Sequence, residues 1–458
     1  MKKKVLEKFI EAPAQLLDKG VTGSEKLSKA IPIDYKRPVK KARDFWFLLG
    51  PGLTTGASDD DPSGIATYSQ AGAQYGFGLI WLTAFTLPFM AVIQEMCARI
   101  GLVTGSGLAA NIKTHFSPKV LYFATILLFI ANTFNIGADI GAMANAIQLL
   151  YPNFSFNYLI IGIGFFILFL QIFTSYIKYA RLLKYLALVL LAYILSAILT
   201  HPNYHTLFHY ALLPHITFSK NEILLICAIL GTTITPYLFF WQTGQEVEDE
   251  ISIGQTNIKL RKLNGPSRLK RMRVDVWVGM FLSNLVMFFI ITACANVLFS
   301  HGITNISTAS QAALALKPFA GSATYLLFSI GIIGVGLLAI PIMAASSAYA
   351  ISETIGKRYQ GLNLKLNKAF DFYGVIIISM LIGIAINFIG LNPIKALIYS
   401  AVLNGIVAPV IIILIILIAR NKKIMGQWKN SKLSSSIGWI LAFIMSISGI
   451  AAIYSLFP

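Results

Sequence analysis

Two short stretches carry most of the chemistry written into this sequence. The first reads Ser58-Asp59-Asp60-Asp61-Pro62-Ser63-Gly64 and interrupts an otherwise apolar run. Carboxylates at the centre of a bilayer cost about 2.5–3.5 kcal/mol each on insertion scales, so they persist only where they face a cavity or hold a partner. Pro62 removes a backbone donor and clashes with the preceding turn, and Gly64 adds freedom. The helix should therefore unwind and release carbonyl oxygens beside the carboxylates, a donor set that suits a hard cation. The second stretch, Gly231-Thr232-Thr233-Ile234-Thr235-Pro236-Tyr237, places another proline inside an apolar run, here among hydroxyls. One proline commonly only kinks a packed helix. Two interrupted helices in corresponding places, with acids at one break, point instead to the midplane site of a transporter.

The elements that must position these residues follow from the apolar runs. The 458-residue chain is 56% hydrophobic and 12% charged, with a mean hydropathy of +0.70. Soluble domains carry about 25% charged residues, so most of this surface must face lipid. Runs long enough to cross a bilayer fall near 46–75, 78–100, 119–148, 156–175, 182–200, 222–243, 276–300, 322–349, 371–390, 394–419 and 435–457. The expectation is an all-α polytopic membrane protein of about eleven helices. A basic cytoplasmic segment spans 1–45, a transporter domain spans 46–457, its halves are 46–200 and 222–419, and 435–457 is an extra helix.

Charge placement sets the orientation. Every lysine and arginine except Lys220, Lys317 and Lys395 falls in segments on one side of these spans, which puts the N-terminus in the cytoplasm and the C-terminus outside. The opening stretch lacks an apolar run, so a cleavable signal peptide is not expected there. The net charge of +18 is explained by topology and anionic lipid, not by nucleic acid. Cys97, Cys227 and Cys294 lie in apolar stretches and read as packed thiols.

Other polar groups are set aside. Glu246, Glu248, Asp249 and Glu250 are expected in a solvated loop, with an exit vestibule as the alternative. Lys259–Arg273 reads as a cytoplasmic loop. His201, His205, His209 and His215 have irregular spacing and aromatic neighbours, which favours interfacial packing over metal capture. Glu95 and Arg99 are spaced for an ion pair within one helix. No phosphate-binding loop and no nucleophile–base pair is present, so an enzyme is not expected.

The strings Gly50-Pro51-Gly52, Asp61-Pro62, Ala71-Gly72-Ala73-Gln74-Tyr75-Gly76 and Gln94-Glu95-Met96-Cys97-Ala98-Arg99-Ile100-Gly101-Leu102-Val103-Thr104-Gly105 resemble the Nramp family of divalent-metal transporters. The resemblance is densest over spans one to three, recurs at span six and implies a LeuT-like inverted repeat of spans 1–5 and 6–10. Departures from the family pattern are as informative. The family's Asp-Pro-Gly-Asn is here Asp61-Pro62-Ser63-Gly64, and its Met-Pro-His is Thr235-Pro236-Tyr237. Thr232 takes a small-residue ligand position. Of two family acids in span three, Ile136 replaces the first and Asp139 stands at the second. The span-ten Gln aligns with Ser400, one turn before Asn404. This pattern is similar to the Nramp-related magnesium transporter branch.

The resemblance implies Asp61 as principal ligand. Asp60, Ser63, Gly64, Thr232 and Thr235 complete the expected site, with Asp59, Tyr237, Asp139, Ser400 and Asn404 as secondary candidates. Asp59 has a second reading, as the cap of the half-helix that follows. Thr233 and Asn404 are read mainly as packing groups, and Tyr237 serves equally as an interhelical hydrogen bonder. Losing the thioether removes a soft ligand that favours Mn²⁺ or Fe²⁺. The small residues should widen the pocket, and a roomy oxygen-lined site suits Mg²⁺, which sheds water reluctantly. Ile136 and Tyr237 do not titrate near neutral pH, so obligatory proton coupling is not expected. The expectation is a uniporter for Mg²⁺, with Mn²⁺ as a further substrate, no resident cofactor and no protein partner. The alternatives are a proton-coupled Mn²⁺/Fe²⁺ importer, a sodium-coupled symporter of organic solutes, which the triple acid disfavours, and a metal sensor, for which no output domain is seen.

Overall fold

In a computed structural model the described residues are 51–174, 187–252, 254, 265–356 and 361–456. The basic segment 1–45, the first residues of span one and the start of span five lie outside them. Gly50–Pro458 forms one compact unit. Among the described residues every regular element is helical.

Span one is two helices, α1 (Pro51–Asp59) and α2 (Pro62–Tyr75). Asp61 is the extended N-cap of α2 and accepts from Gly64 N, while Pro62 opens the helix. That is the favoured start, because the side-chain oxygen satisfies one orphan N–H and proline has none to lose. The expectation that Asp59 caps α2 is thereby corrected: Asp59 is the last residue of α1, and only Asp61 stands where the exposed N–H groups begin. Gly76 ends α2 with φ 56, a backbone that favours glycine.

The first half continues through α3 (Trp81–Thr104), α4 (Leu108–His115), α5 (Pro118–Leu150), α6 (Phe156–Phe173) and α7 (Leu191–Leu199). An outer helix, α8 (Tyr204–Leu212), leads to the second half. Span six is again two helices, α9 (Lys220–Thr233) and α10 (Pro236–Ser252). Then come α11 (Gly265–Val297), a short α12 (Ala309–Ala313), α13 (Thr324–Thr354), α14 (Phe370–Ile386), α15 (Pro393–Arg420) and α16 (Lys432–Leu456). Nine helical stretches among the described residues are long and apolar enough to span a bilayer. The other two expected spans are the one split at Asp60 and the one described only from Ala187. Residues 371–390 and 394–419 do form separate helices, α14 and α15.

Two loop expectations are overturned. Glu246, Glu248 and Glu250 are buried on α10, because each finds a polar partner: Gln242 for Glu246, Tyr349 for Glu248 and Arg268 for Glu250. Lys259–Arg273 is helical from Gly265 onward. Arg273 pairs with Glu95 at 2.9 Å, and the expected Glu95–Arg99 contact is also present at 3.7 Å. The first part of that run, through 264, lies outside the described residues. His209 and His215 meet Tyr210 edge-to-face, in keeping with interfacial packing, and the three cysteines are buried and free.

The halves interlock by exchange. In the second half α11 packs on α1, α2 and α3, and α10 packs on α3 and α13, while α5 lies between α13 and α15. Glycines permit the closest crossings. A Cβ on Gly56 would strike the backbone of Gly279, and one on Gly231 would strike Ala401 and Gly405. Small residues are what allow helices to approach this closely in lipid. At the periphery α6 turns Phe165, Phe166, Phe169 and Phe173 outward, as a lipid-facing helix should.

Candidate functional site

Both helix breaks lie in the interior, and they meet. Asp61 Oδ1 accepts from Ser63 Oγ at 2.7 Å and from Gly64 N at 2.8 Å. Its other oxygen accepts from Asn135 Nδ2 on α5 at 2.9 Å. Across the break Ser63 Oγ lies 3.4 Å from Thr232 Oγ1, so hydroxyls from the two half-repeats face each other beside the carboxylate. An ionised carboxylate offers roughly four lone-pair positions, which leaves Asp61 capacity for a cation. The C-terminal ends of α1 and α9 both point into this region, and unsatisfied carbonyls there carry partial negative charge.

The pocket is not wide in this conformation. A Cβ on Gly64 would lie 3.1 Å from Thr232 Oγ1 and 3.4 Å from Tyr68 Cε2. The small residues expected to enlarge the site thus let the broken helices close on each other. Tyr237 donates to Ser58 O at 2.7 Å, tying the second break to the last turn of α1. This is the interhelical role offered as its alternative. Ser346 Oγ donates to Tyr237 O at 2.8 Å and brings α13 into the same junction. Thr235, in the second break, borders both Asp59 and Tyr237.

Asp59 and Asp60 turn to a partner that the sequence pattern does not reveal. Ser283 Oγ, on α11, lies 2.6 Å from Asp59 Oδ2 and 3.3 Å from Asp60 Oδ1. Asp139 is fully buried, and neither of its carboxylate oxygens has a hydrogen-bond partner. Asn404 is likewise buried with its amide unpartnered. Ser400 Oγ and Thr233 Oγ1 bond back to carbonyls of their own helices, Leu397 O and Ile229 O, as packing hydroxyls do.

Asn135 is a second site residue that the sequence pattern does not reveal. It is one of several amides on α5, with Asn132, Asn145 and Gln148, and nothing in the sequence sets it apart from them. It also contacts the thioether of Met343 at 2.8 Å. Among the described residues no group of three or more His, Cys, Asp or Glu side chains is arranged to hold a metal. An ion here would draw on few carboxylates, with hydroxyls, carbonyls and water completing its shell.

The arrangement has counterparts among known proteins. The family described as Natural resistance-associated macrophage protein-like, Nramp, matches residues 52–455. The chain is 24% identical over 411 residues to the divalent metal cation transporter MntH of Caldanaerobacter subterraneus, covering 89% of this chain and 93% of that one. It is 24% identical to MntH of Klebsiella pneumoniae over 409 residues, 88% and 92% of the two chains. The crystal structure of an Eremococcus coleocola manganese transporter superposes with a TM-score of 0.71 at 17% identity, over 93% and 89% of the chains. Mhp1, a nucleobase-cation-symport-1 transporter, superposes with a TM-score of 0.54 at 13% identity, over 89% and 91%. The fold is the LeuT-like inverted repeat with broken first and sixth spans.

Proposed function

Because this chain belongs to the Nramp family, we propose that it is a membrane transporter, not an enzyme, that imports divalent cations and prefers Mg²⁺. The observation that carries the reading is the hydroxyl pair beside Asp61: Ser63 Oγ donates to its carboxylate, and Thr232 Oγ1 from the opposite break lies against Ser63. Neither break contributes sulfur, and soft thioethers are what favour Mn²⁺ and Fe²⁺ over Mg²⁺. Asp61 is the principal ligand. Ser63, Thr232 and Thr235 hold the ion's waters, Gly64 keeps the space beside the Thr232 hydroxyl clear, and Asp60 and Asp59 add negative potential. Asp139 and Asn404, buried without partners, line the route.

Transport proceeds without obligatory proton coupling. Support comes from Ile136 at the place of a family acid and Tyr237 at the place of the family histidine, its hydroxyl committed to Ser58 O. A divalent ion gains roughly 4.6 kcal/mol per 100 mV of inside-negative potential, twice the single-charge value, so the potential alone sustains accumulation. The N-terminus and the basic loops face the cytoplasm of a bacterial inner membrane, a reading supported by the distribution of lysine and arginine.

A second reading is a proton-coupled Mn²⁺ importer. Met343 favours it, because its thioether sits one side chain from Asp61, against Asn135. Uptake into proteoliposomes, with Mg²⁺ and Mn²⁺ each followed against internal pH for wild type and Asp61→Ala, separates the two. Mg²⁺ entry that requires Asp61 and leaves internal pH flat is expected. Mn²⁺ entry with acidification and no response to Mg²⁺ would overturn the proposal.

A further inference from the structure

We propose that Asp59, Asp60, Ser283 and Thr235 form a second cation position beside Asp61, occupied by a divalent ion that keeps part of its water shell. The proposal rests on the reading above for the class of cargo and goes beyond it in the number of ions held. Ser283 carries one hydroxyl proton but lies within hydrogen-bond reach of two carboxylates, at 2.6 and 3.3 Å. It can serve only one of them at a time. Asp59 is fully buried, and its Oδ1 has no partner. Among the described residues no lysine or arginine is paired with Asp59, Asp60 or Asp61. Asp59 also closes α1, where the helix end adds partial negative charge.

An independent group from the other repeat faces the same place. Thr235 is 1% exposed, borders Asp59, and its hydroxyl makes no hydrogen bond of normal geometry. Two carboxylates and two hydroxyls, with water filling the remainder, match the way Mg²⁺-sized ions are held in proteins. This position is separate from that of Asp61, whose oxygens are engaged from α2 and α5, whereas Asp59 and Asp60 are engaged from α11. Two like charges this close weaken each other's hold. Adjacent sites that repel in this way allow tight entry with ready release.

The test is a Mn²⁺ titration of the full chain in nanodiscs, counted by electron paramagnetic resonance. Two Mn²⁺ per chain, magnetically coupled, are expected in the wild type. One should remain in the double variant Asp59→Asn/Asp60→Asn, and one in Asp61→Asn. Ser283→Ala should weaken the second ion about tenfold and leave the first unchanged. A single Mn²⁺ per wild-type chain would overturn the proposal, and that count does not depend on any variant folding. Two ions retained in the Asp59→Asn/Asp60→Asn protein would overturn it equally. Displacement by Mg²⁺ is scored separately. Mg²⁺ that displaces neither of two ions sinks the Mg²⁺ preference and leaves the two-ion site standing, while a wild-type chain that binds a single Mn²⁺, fully displaced by Mg²⁺, sinks the second site and leaves the preference standing.

Discussion

At the scale of single residues, the site is a carboxylate whose direction is set by its neighbours. Asn135 holds Asp61 Oδ2 from α5, and losing such an orienting partner typically costs 10–100-fold in metal affinity. Asn135→Ala should therefore raise the half-saturating metal concentration for uptake by about 10–100-fold, with the protein still monodisperse. An unchanged value would mean that Asn135 only packs. Asp61 was legible from sequence because an acid in an apolar run is too costly to keep unless it faces a cavity or an ion. Asn135 and Ser283 were not, because lone amides and hydroxyls are ordinary in packed spans and their partners lie 74 and 224 residues away. Only the fold brings them together. Thr232 was named because the resemblance puts it at a ligand position of the second break, and its hydroxyl lies 3.4 Å from that of Ser63.

At the scale of elements, the broken spans are held by close crossings and by caps supplied from elsewhere. Gly231→Ala would push a methyl into the backbone of Ala401 and Gly405. Such overpacking costs about 1–3 kcal/mol, so a clear fall in Tm in detergent is expected. Gly64→Ala meets the Thr232 hydroxyl at 3.1 Å, the edge of the Tyr68 ring at 3.4 Å and the Asp59 carbonyl at 3.5 Å, with no backbone atom closer than ordinary contact. It should leave Tm nearly unchanged while reducing uptake, because the methyl enters the ion's space. A second kind of hold lies at the start of α1, where Gly52 N and Leu53 N donate to Asp275 at 2.7 and 3.2 Å. Removing a capping carboxylate costs about 0.5–2 kcal/mol. Asp275→Ala should thus speed amide exchange over residues 52–55 by roughly tenfold, the ratio for about 1.4 kcal/mol; unchanged exchange would show that the cap does not hold α1. The breaks and the eleven-span order could be read from proline and apolar-run spacing. The burial of Glu246, Glu248 and Glu250 could not, since a dense run of acids looks solvated until each partner is known.

At the scale of the molecule, the chain is a divalent-metal transporter of the Nramp family built on an inverted repeat, and the charge on its cargo sets the energy available to it. For an uncoupled divalent carrier, a valinomycin-clamped potential of 100 mV should drive accumulation of over about a thousandfold. Changing external pH at fixed potential should leave that ratio in place. Accumulation that follows the pH gradient would favour the coupled reading.

The exchange of helices between halves also bears on biogenesis. Asp59 and Ser283 are 224 residues apart, which at about 5–20 residues per second of synthesis is a delay of roughly 10–45 s. Throughout it, three neighbouring acids have entered the translocon and the hydroxyl that lies against two of them does not yet exist. The first span should therefore stay at the water-filled channel or its edge until α11 arrives to cover its acids. A ribosome stalled before α11 should hold α1 in a protease-accessible state that one stalled after residue 300 has lost.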